Sequence, residues 1–198
     1  MKARLLYSIN FENSIGYVVL FSKKFVKRYP TLKFKYHKIK YKIFHKRFFS
    51  INFIKEKDIT KNEIEISISW MKIPDISYMF YKTDLKYFNG INFNTNYVFN
   101  MSHMFQHCHL LLSLDFISEL DTKNVINISF MFSGCLLLKS FPDISKWNTE
   151  NDCYMKDVFS SLKIEKIPDI SKWNFKNVID ISGMFSYASI TQLPDISK

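Results

Sequence analysis

Residues 140–149 read Ser-Phe-Pro-Asp-Ile-Ser-Lys-Trp-Asn-Thr, and closely similar text returns twice further along the chain. Residues 166–175 read Lys-Ile-Pro-Asp-Ile-Ser-Lys-Trp-Asn-Phe, and residues 192–198 read Gln-Leu-Pro-Asp-Ile-Ser-Lys. The proline of this motif recurs at a constant spacing of 26 residues, at Pro142, Pro168 and Pro194. A fixed period of this length predicts a solenoid, because one unit is too small to fold alone and has to stack on its neighbours.

A second anchor, a Met-Phe or Val-Phe pair, makes the repeat countable from about residue 63 onward. Successive pairs lie 25, 27, 27 and 26 residues apart, and a large apolar residue precedes the last four phenylalanines by twelve residues. Apolar positions that recur in this way predict one core that continues from unit to unit. The predicted core residues are Met79, Phe80, Met104, Phe105, Met131, Phe132, Trp147, Val158, Phe159, Trp173, Met184 and Phe185.

Residue chemistry predicts how one unit is built. Proline fixes φ and lacks a backbone donor, so it belongs at a corner or a strand edge. Aspartate and asparagine bond to nearby backbone, which suits turns. These turn positions are Asp143, Asp169, Asp195, Asn148, Asn151, Asn174 and Asn177. Residues 129–135 begin with Ser and place three apolar side chains on one side, which predicts a short helix. The predicted class is an α/β repeat solenoid with coils of about 26 residues, each with short parallel strands and one short helical turn.

The positive charge of the chain is concentrated in its first third. The net charge is +10, yet residues 1–67 carry 16 Lys/Arg against 5 Asp/Glu, a balance of +11. Residues 68–198 carry 12 against 13, a balance of −1. We therefore predict two parts: a basic segment of unknown fold over residues 1–62, and a solenoid of four to five coils over residues 63–198 that ends within a unit.

In the basic segment, the apolar run over residues 17–21 predicts a short strand. Residues 33–36 and 38–43 alternate apolar and polar side chains, which predicts two strands or a strand and a bend. Residues 23–47 hold eleven cations and no acid, interleaved with Phe, Tyr and Ile. Such a segment fits a polyanion, whether nucleic acid, anionic lipid or an anionic glycan; the plain alternative is a solvated strand surface. The candidate polyanion-binding residues are Lys23, Lys24, Lys27, Arg28, Lys33, Lys35, Lys38, Lys40, Lys42, Lys46 and Arg47.

One cluster has the chemistry of metal ligands: His103, His107, Cys108 and His109. On a helix, His103 and His107 would share a face at i and i+4, a spacing that can bind zinc. Cys108, however, occupies the repeat position of Cys135 and is expected to point inward. Surface imidazoles beside a buried thiol are the simpler interpretation, so no metal is predicted. Cys108 and Cys135 are expected to be free buried thiols rather than a disulfide.

The remaining candidates do not indicate catalysis. The sequence contains no nucleophile–base pair, Gly-rich phosphate loop or His-Glu metal motif, so neither enzymatic activity nor a cofactor is predicted. Trp147 and Trp173 are expected in the core rather than as sugar-stacking platforms. The aspartates of the repeated motif are expected in turns rather than in a calcium row, because lysines follow them. There is no run of eighteen apolar residues, so no membrane-spanning helix is predicted, and no clear signal peptide is recognised.

The order Leu-Pro-Asp-Ile-Ser-Lys-Trp-Asn-Thr, Asn-Val, Met-Ser-x-Met-Phe, then Cys and Leu resembles the repeat of bacterial surface proteins. This is a BspA-like leucine-rich repeat group of surface proteins and lipoproteins from mycoplasmas, other bacteria and some protists. Residues 140–185 match best, residues 88–139 match with losses, and residues 63–87 match faintly. Asp115 and Phe116 replace the Pro-Asp pair in one unit. The resemblance implies leucine-rich-repeat-like coils, a cell-surface or secreted location, and adhesion.

Three functional hypotheses stay open at this point. The first is a non-enzymatic leucine-rich-repeat-like scaffold that binds a protein or glycan across its stacked surface. The second is a polyanion-binding module, in which the solenoid supports the basic segment. The third is an eroded member of a repeat family without retained activity, which the ragged N-terminal third and the ending within a unit would allow. Specificity is expected at the variable positions between the repeated anchors.

Overall fold

The structure is a computed structural model that describes residues 2–8, 10–12, 15–28, 34–36, 41–43, 48–54, 63–69, 73–89, 94–151 and 154–192. Regular secondary structure is concentrated in the first half of the chain. The strands are β1 (Lys2–Ser8), β2 (Asn10–Glu12), β3 (Ile15–Ser22), β4 (Phe34–Tyr36), β5 (Tyr41–Ile43), β6 (Phe48–Ile54), β7 (Glu63–Ser69) and β8 (Leu85–Asn89). The short helix α1 (Lys23–Arg28) directly follows β3, and a 3-10 turn spans Ile117–Glu119.

The strands form two antiparallel sheets of four strands each, in the orders β4–β7–β1–β8 and β2–β3–β6–β5. In the first sheet, β1 pairs with β7 along its whole length, from Lys2 opposite Ser69 to Ser8 opposite Glu63. Strand β3 confirms the short strand predicted over residues 17–21. Strands β4 and β5 lie within the other two predicted stretches.

Strand β1 belongs to the predicted N-terminal part, but both of its edges are hydrogen-bonded to strands from residues 63–198. Strand β7 pairs with one edge of β1, and β8 pairs with the other. Within β8, Tyr87 also forms a parallel bridge with Ser113, so β8 connects this sheet to the repeat units. The division into residues 1–62 and residues 63–198 stays a prediction.

Each repeat unit contributes one run of nine residues, which we name a turn segment. The five turn segments cover residues 75–83, 100–108, 127–135, 154–162 and 180–188. Parallel bridges join their first residues in succession, through Asp75, Asn100, Asn127, Tyr154 and Asp180. The turn segments therefore lie side by side and in register, one unit apart.

Backbone hydrogen bonds in a turn segment alternate between two destinations. In residues 127–135, the N–H group of Phe130 donates to the carbonyl of Lys156 in the next segment, 2.8 Å away. The N–H group of Met131 donates instead to the carbonyl of Ile128 in its own segment, 3.1 Å away. The alternation continues along the segment and recurs in its neighbours. Buried donors are thus satisfied partly by the turn and partly by the next unit, without a continuous strand or helix.

The predicted helical turn in each coil is wrong for these segments. Residues 129–135, all of them described, form turns rather than a helix. Phe130 and Gly134 have φ values of +60° and +73°, whereas a right-handed helix needs negative φ and successive bonds to the residue four positions back. The three apolar side chains behind the prediction do share a buried side, but through turns. The leucine-rich-repeat-like solenoid class stays a prediction.

The buried interior follows the stacked turn segments. The largest fully buried side chains among the described residues are four phenylalanines, and with the partly buried Phe185 they form what we name the Phe column: Phe80, Phe105, Phe132, Phe159 and Phe185. Neighbouring rings of the column stack with their centroids 5.4 to 6.0 Å apart. Burial of each such ring contributes about 1.5–3 kcal/mol. Of the twelve core positions predicted from the sequence, eleven are buried, and Phe185 packs against the same core.

Candidate interaction surface

Two positions in every turn segment have a left-handed backbone. They lie two residues before and two residues after the phenylalanine of the Phe column, with φ between +52° and +73°. The first outer column consists of Tyr78, His103, Phe130, Asp157 and Gly183. The second outer column consists of Lys82, His107, Gly134, Ser161 and Tyr187. Apart from the buried Gly134, all of these residues are partly or fully exposed.

The residue types in the outer columns are not those that the backbone favours. A left-handed conformation costs a residue with a Cβ about 1–3 kcal/mol, whereas glycine adopts it freely. Nevertheless, two of the ten positions hold glycine, and eight hold Tyr, His, Phe, Asp, Lys or Ser. Strained backbone positions cluster at functional sites, so we take the outer columns as the candidate interaction surface.

Three rings of the first outer column stack face to face. The ring centroids of Tyr78 and His103 lie 4.2 Å apart with 9° between the planes, and those of His103 and Phe130 lie 4.6 Å apart with 7°. The Nζ atom of Lys24, on α1, lies 3.8 Å from the Tyr78 centroid, which is a cation–π contact. Both faces of the His103 imidazole are therefore covered, and solvent meets mainly its edge.

The imidazole of His107, in the second outer column, lies beside this stack together with that of His109. The ring centroid of His107 lies 5.5 Å from that of His109 and 6.1 Å from that of Tyr81. The Nδ1 atom of His109 lies 3.1 Å from the carbonyl oxygen of Gly134. A Cβ atom on Gly134 would meet Nδ1 of His107 at 2.5 Å, so the His107 ring fills the space that a side chain would need. The φ of Gly134 favours glycine, and the close approach of His107 leaves no room for a side chain at this position.

The electrostatic character of this surface is positive. Burial lowers the pKa of His103 and the charge of Lys24 lowers it further, although the hydrogen bond to Gln106 raises it. Burial also lowers the pKa of His107, with smaller contributions from a neighbouring imidazole and from Lys82. Both imidazoles are therefore mainly neutral at pH 7 and carry one N–H group each. The Nδ1–H group of His103 donates to Oε1 of Gln106, 2.6 Å away, which leaves its Nε2 atom as an acceptor. The permanent charges beside them are the ammonium groups of Lys24 and Lys82.

Helix α1 is held against the first turn segment by charged contacts. The Nη1 atom of Arg28 lies 2.8 Å from Oδ1 of Asp75, and it also donates to Oγ of Ser77 over 2.8 Å. Together with the cation–π contact of Lys24, these bonds fix α1 beside the stacked rings. The exposed side chains of Lys24 and Lys27 extend the positive surface beyond the turn segments.

The predicted polyanion-binding residues are placed only in part. The structure describes three of their side chains as exposed, all on α1: Lys24, Lys27 and Arg28. Two of these three already contact the first turn segment. The backbone of three more lies in α1, β4 and β5: Lys23, Lys35 and Lys42. The others lie outside the described residues: Lys33, Lys38, Lys40, Lys46 and Arg47.

The candidate metal ligands do not converge. His103 and His107 have left-handed φ values of +58° and +57°, so the helical i, i+4 pair does not form. The thiol of Cys108 points inward, 2.8 Å from the carbonyl oxygen of Phe80, and burial raises its pKa to about 12. In the part of the chain that the structure describes, no three potential metal ligands lie together. Cys108 and Cys135 are free and buried, which confirms that part of the prediction.

Trp147 and Trp173 lie in the core. Their exposed fractions are 4% and 3%, and their ring centroids stack 5.9 Å apart. The indole nitrogens donate to the carbonyl groups of Ile117 and Ile144, at 3.0 and 3.1 Å. Rings that are buried and bonded in this way offer no open face to a sugar.

The aspartates and asparagines of the motif are turn residues, as predicted. The carboxylates of Asp143 and Asp169 each accept a backbone N–H bond of 2.9 Å, from Ser145 and Ser171, and these serines lower the pKa of both groups. The same turn is made by Asn148 and Asn174. Bonds to the backbone of the preceding unit are made by Asn151 and Asn177. Asp195 lies outside the described residues.

A second surface lies between two successive proline corners. It is an open groove of about 820 Å³, lined by residues 139–143 and 165–169 together with Ser145 and Lys163. Its lysines and acids are equal in number, three of each. The groove therefore has no net charge with which to select a partner, in contrast to the outer columns.

Sequence reasoning did not single out Tyr78, Lys82 or Phe130, and it considered His103 and His107 only as metal ligands. The signal was nevertheless present in the motif Met-Ser-x-Met-Phe. Its unspecified position is the first outer column, which holds a different residue in each of the five units, whereas the phenylalanine two residues later is the same in all five. A varied position beside a repeated core position marks a surface that is free to specialise.

In-register turn segments, a uniform buried column and varied outer columns are the features of a repeat protein. Residues 74–197 match the family model described as Mycoplasma protein of unknown function, DUF285, and the chain belongs to this family. The family agrees with the mycoplasma part of the resemblance seen in the motif. No curated protein and no solved structure matches the sequence. In the described residues, none of the helices has the length and apolar character that crossing a membrane requires.

Proposed function

We propose that this protein is a non-enzymatic repeat scaffold whose outer columns bind a protein or glycan, in a solenoid of BspA-like, leucine-rich-repeat-like coils that serves adhesion at a cell surface. The observation that carries the proposal is the presence of eight residues other than glycine at left-handed positions, distributed over the turn segments. A frame that repeats and an outer face that varies are how repeat proteins build extended binding surfaces. The variation would then encode the partner.

The experiment separates the outer columns from the rest of the surface of the full chain. One triple variant changes the outer columns: Lys82→Ser, His103→Ser and Tyr187→Ser. A control changes three exposed residues elsewhere in the repeat units: Lys146→Ser, Glu165→Ser and Lys172→Ser. Each set lowers the formal net charge by one, so a general electrostatic effect would alter both equally. Circular dichroism and thermal unfolding establish that both variants are folded.

Ligands are first selected with the unmodified chain, from a random-peptide phage library and from a glycan array. We expect the selected ligands to keep their affinity for the control and to lose about ten-fold or more on the outer-column variant, because few residues carry most of the energy of an interface. Ligands that bind all three proteins equally well would show that the outer columns are not the binding surface.

Polyanion binding through the basic segment is the second candidate function. The exposed cations of α1 favour it, since Lys24, Lys27 and Arg28 lie within six residues of one another. Binding of this kind weakens steeply with salt. Retention on immobilised heparin or duplex DNA that falls with salt and with Lys27→Gln, but not with the outer-column variant, would support this candidate over the first.

A further inference from the structure

The chemistry of the stacked rings narrows the kind of partner that the outer columns fit. We propose that the surface formed by Lys24, Tyr78, Lys82, His103 and Phe130, which we name the acid-binding surface, docks an acidic polypeptide segment. Carboxylates of the partner would lie against the edges of the Tyr78 and Phe130 rings and against the two ammonium groups. This inference rests on the proposed function and adds the chemical class of the partner.

The first step is that the ring faces of His103 and Tyr78 are occupied. His103 is enclosed between Tyr78 and Phe130, and the Nζ atom of Lys24 lies over the Tyr78 ring. Nucleic-acid bases bind aromatic side chains by stacking on an open face, and sugars likewise need an open ring face. The stack leaves mainly edges for a partner. Bases and sugars are therefore poorly matched to it.

The second step is that ring edges and nearby charges have the same sign. The C–H edge of a tyrosine or phenylalanine ring is the positive part of its quadrupole. Two ammonium groups converge on the neighbouring ring of Tyr81: the Nζ atoms of Lys24 and Lys82 lie 5.8 and 5.2 Å from its centroid. The carboxylate of Asp75 in the same turn segment is paired with Arg28. An anionic partner is thus favoured over a neutral or cationic one.

The third step concerns the extent of the surface. The first outer column continues after Phe130 with Asp157, whose carboxylate lies over Gly183 in the next unit. A carboxylate-bearing partner would be repelled there. The acid-binding surface is thereby limited to the first three turn segments, where the ammonium groups of Lys24 and Lys82 lie over tyrosine rings. A short acidic peptide fits a patch that ends in this way better than an extended phosphate backbone does, because the backbone would continue past the Asp157 carboxylate.

The direct test uses a fluorescein-labelled deca-glutamate peptide and fluorescence anisotropy, with a deca-lysine peptide as the negative probe. The test variant is Lys24→Gln with Lys82→Gln, and the matched control is Lys146→Gln with Lys172→Gln, which removes the same charge elsewhere. We expect about ten-fold weaker binding of deca-glutamate to the test variant and less than about two-fold change for the control. Equal loss in both variants would overturn the inference, because a net charge of +10 would then explain the binding.

Two further probes distinguish the sources of negative charge. Vesicles with phosphatidylserine and a duplex DNA oligonucleotide are titrated against the same two variants. Tighter binding of either probe than of deca-glutamate, lost on the test variant, would assign the surface to lipid or nucleic acid and overturn the inference. Binding of deca-glutamate that requires the two lysines, with weaker binding of the other probes, supports it.

The peptides selected from the phage library separate this inference from the proposed function. Peptides rich in Asp and Glu that depend on Lys24 and Lys82 support both. Neutral or basic peptides that still depend on the outer columns overturn the acidic partner and leave the scaffold function in place. Peptides whose binding does not depend on the outer columns overturn both the acidic partner and the proposed function.

Discussion

The Phe column and the first outer column lie two residues apart in every turn segment and share one spacing, yet their contents differ. The Phe column holds the same residue in all five units, from Phe80 to Phe185, and four of its members are fully buried. The first outer column changes from Tyr to His, Phe, Asp and Gly over the same five units. The same repeated backbone thus carries one position whose residue type is constant and another whose residue type varies.

The difference shows which part of the repeat the fold constrains. An inward ring has to fill a fixed volume between its neighbours, so a smaller residue leaves a cavity in a close-packed interior. An outer position is constrained chiefly by φ, and there the fold would be served best by glycine. Where another residue is present despite this cost, its side chain is the part of the unit that is available for function.

The largest expected effect comes from changing the same residue type in the two columns. Phe132→Ala removes a fully buried ring of the Phe column and should lower the free energy of unfolding by about 3–5 kcal/mol. Phe130→Ala removes a partly exposed ring stacked on His103 and should cost about 1 kcal/mol. Urea unfolding of both variants measures the difference. Equal losses would show that the outer column is as structural as the inner one.

A second, smaller effect is expected at the glycine of the second outer column. Gly134→Ala should cost about 1–3 kcal/mol, because φ is +73° and the new Cβ would meet the His107 ring. His107→Ala combined with Gly134→Ala relieves the contact but not the backbone strain. The double variant should therefore lose less than the sum of the two single variants. Additive losses in thermal or urea unfolding would show that the ring and the glycine are not coupled.

The sequence predicted which side chains are buried, but it did not predict the backbone conformation of the turn segments. The Phe column was predictable because burial imposes one residue type at one spacing. The turn at residues 129–135 was predicted as a helix because a helix and this turn both place Met131, Phe132 and Cys135 on one side. The residue type at position 130, phenylalanine, does not indicate a left-handed φ. The contact of Lys24 with Tyr78 joins residues that are distant in sequence, so no local sequence pattern predicts it.

A third prediction tests the backbone cost without disturbing packing. Tyr187 is 91% exposed and has φ of +58°, so Tyr187→Gly should be more stable than Tyr187→Ala by about 1 kcal/mol. At the exposed Lys172, whose φ is not positive, the order should reverse, because glycine there adds only entropy to the unfolded chain. The same order at both positions, measured by thermal unfolding, would remove the strain argument for the outer columns.

The smallest expected effect is the pH dependence that the outer columns contribute between about pH 7 and pH 5, because their imidazoles are partly exposed. The pKa of His103 and of His107 is lowered in the folded state, chiefly by burial, so the unfolded chain takes up protons first as the pH falls below about 6.5. The free energy of unfolding should therefore decrease from about pH 6.5 down to the folded-state pKa values and level off below them.

His103→Phe keeps a ring in the stack but removes one titrating group, so its loss of stability between about pH 7 and pH 5 should be smaller than that of the unmodified chain. Phe132→Leu changes the Phe column, where nothing titrates, and should lower the whole profile without changing its slope. Urea unfolding at closely spaced pH values measures all three profiles. If Phe132→Leu changed the slope as much as His103→Phe does, the pH dependence would not belong to the outer columns. The two columns would then differ only in how their side chains are packed.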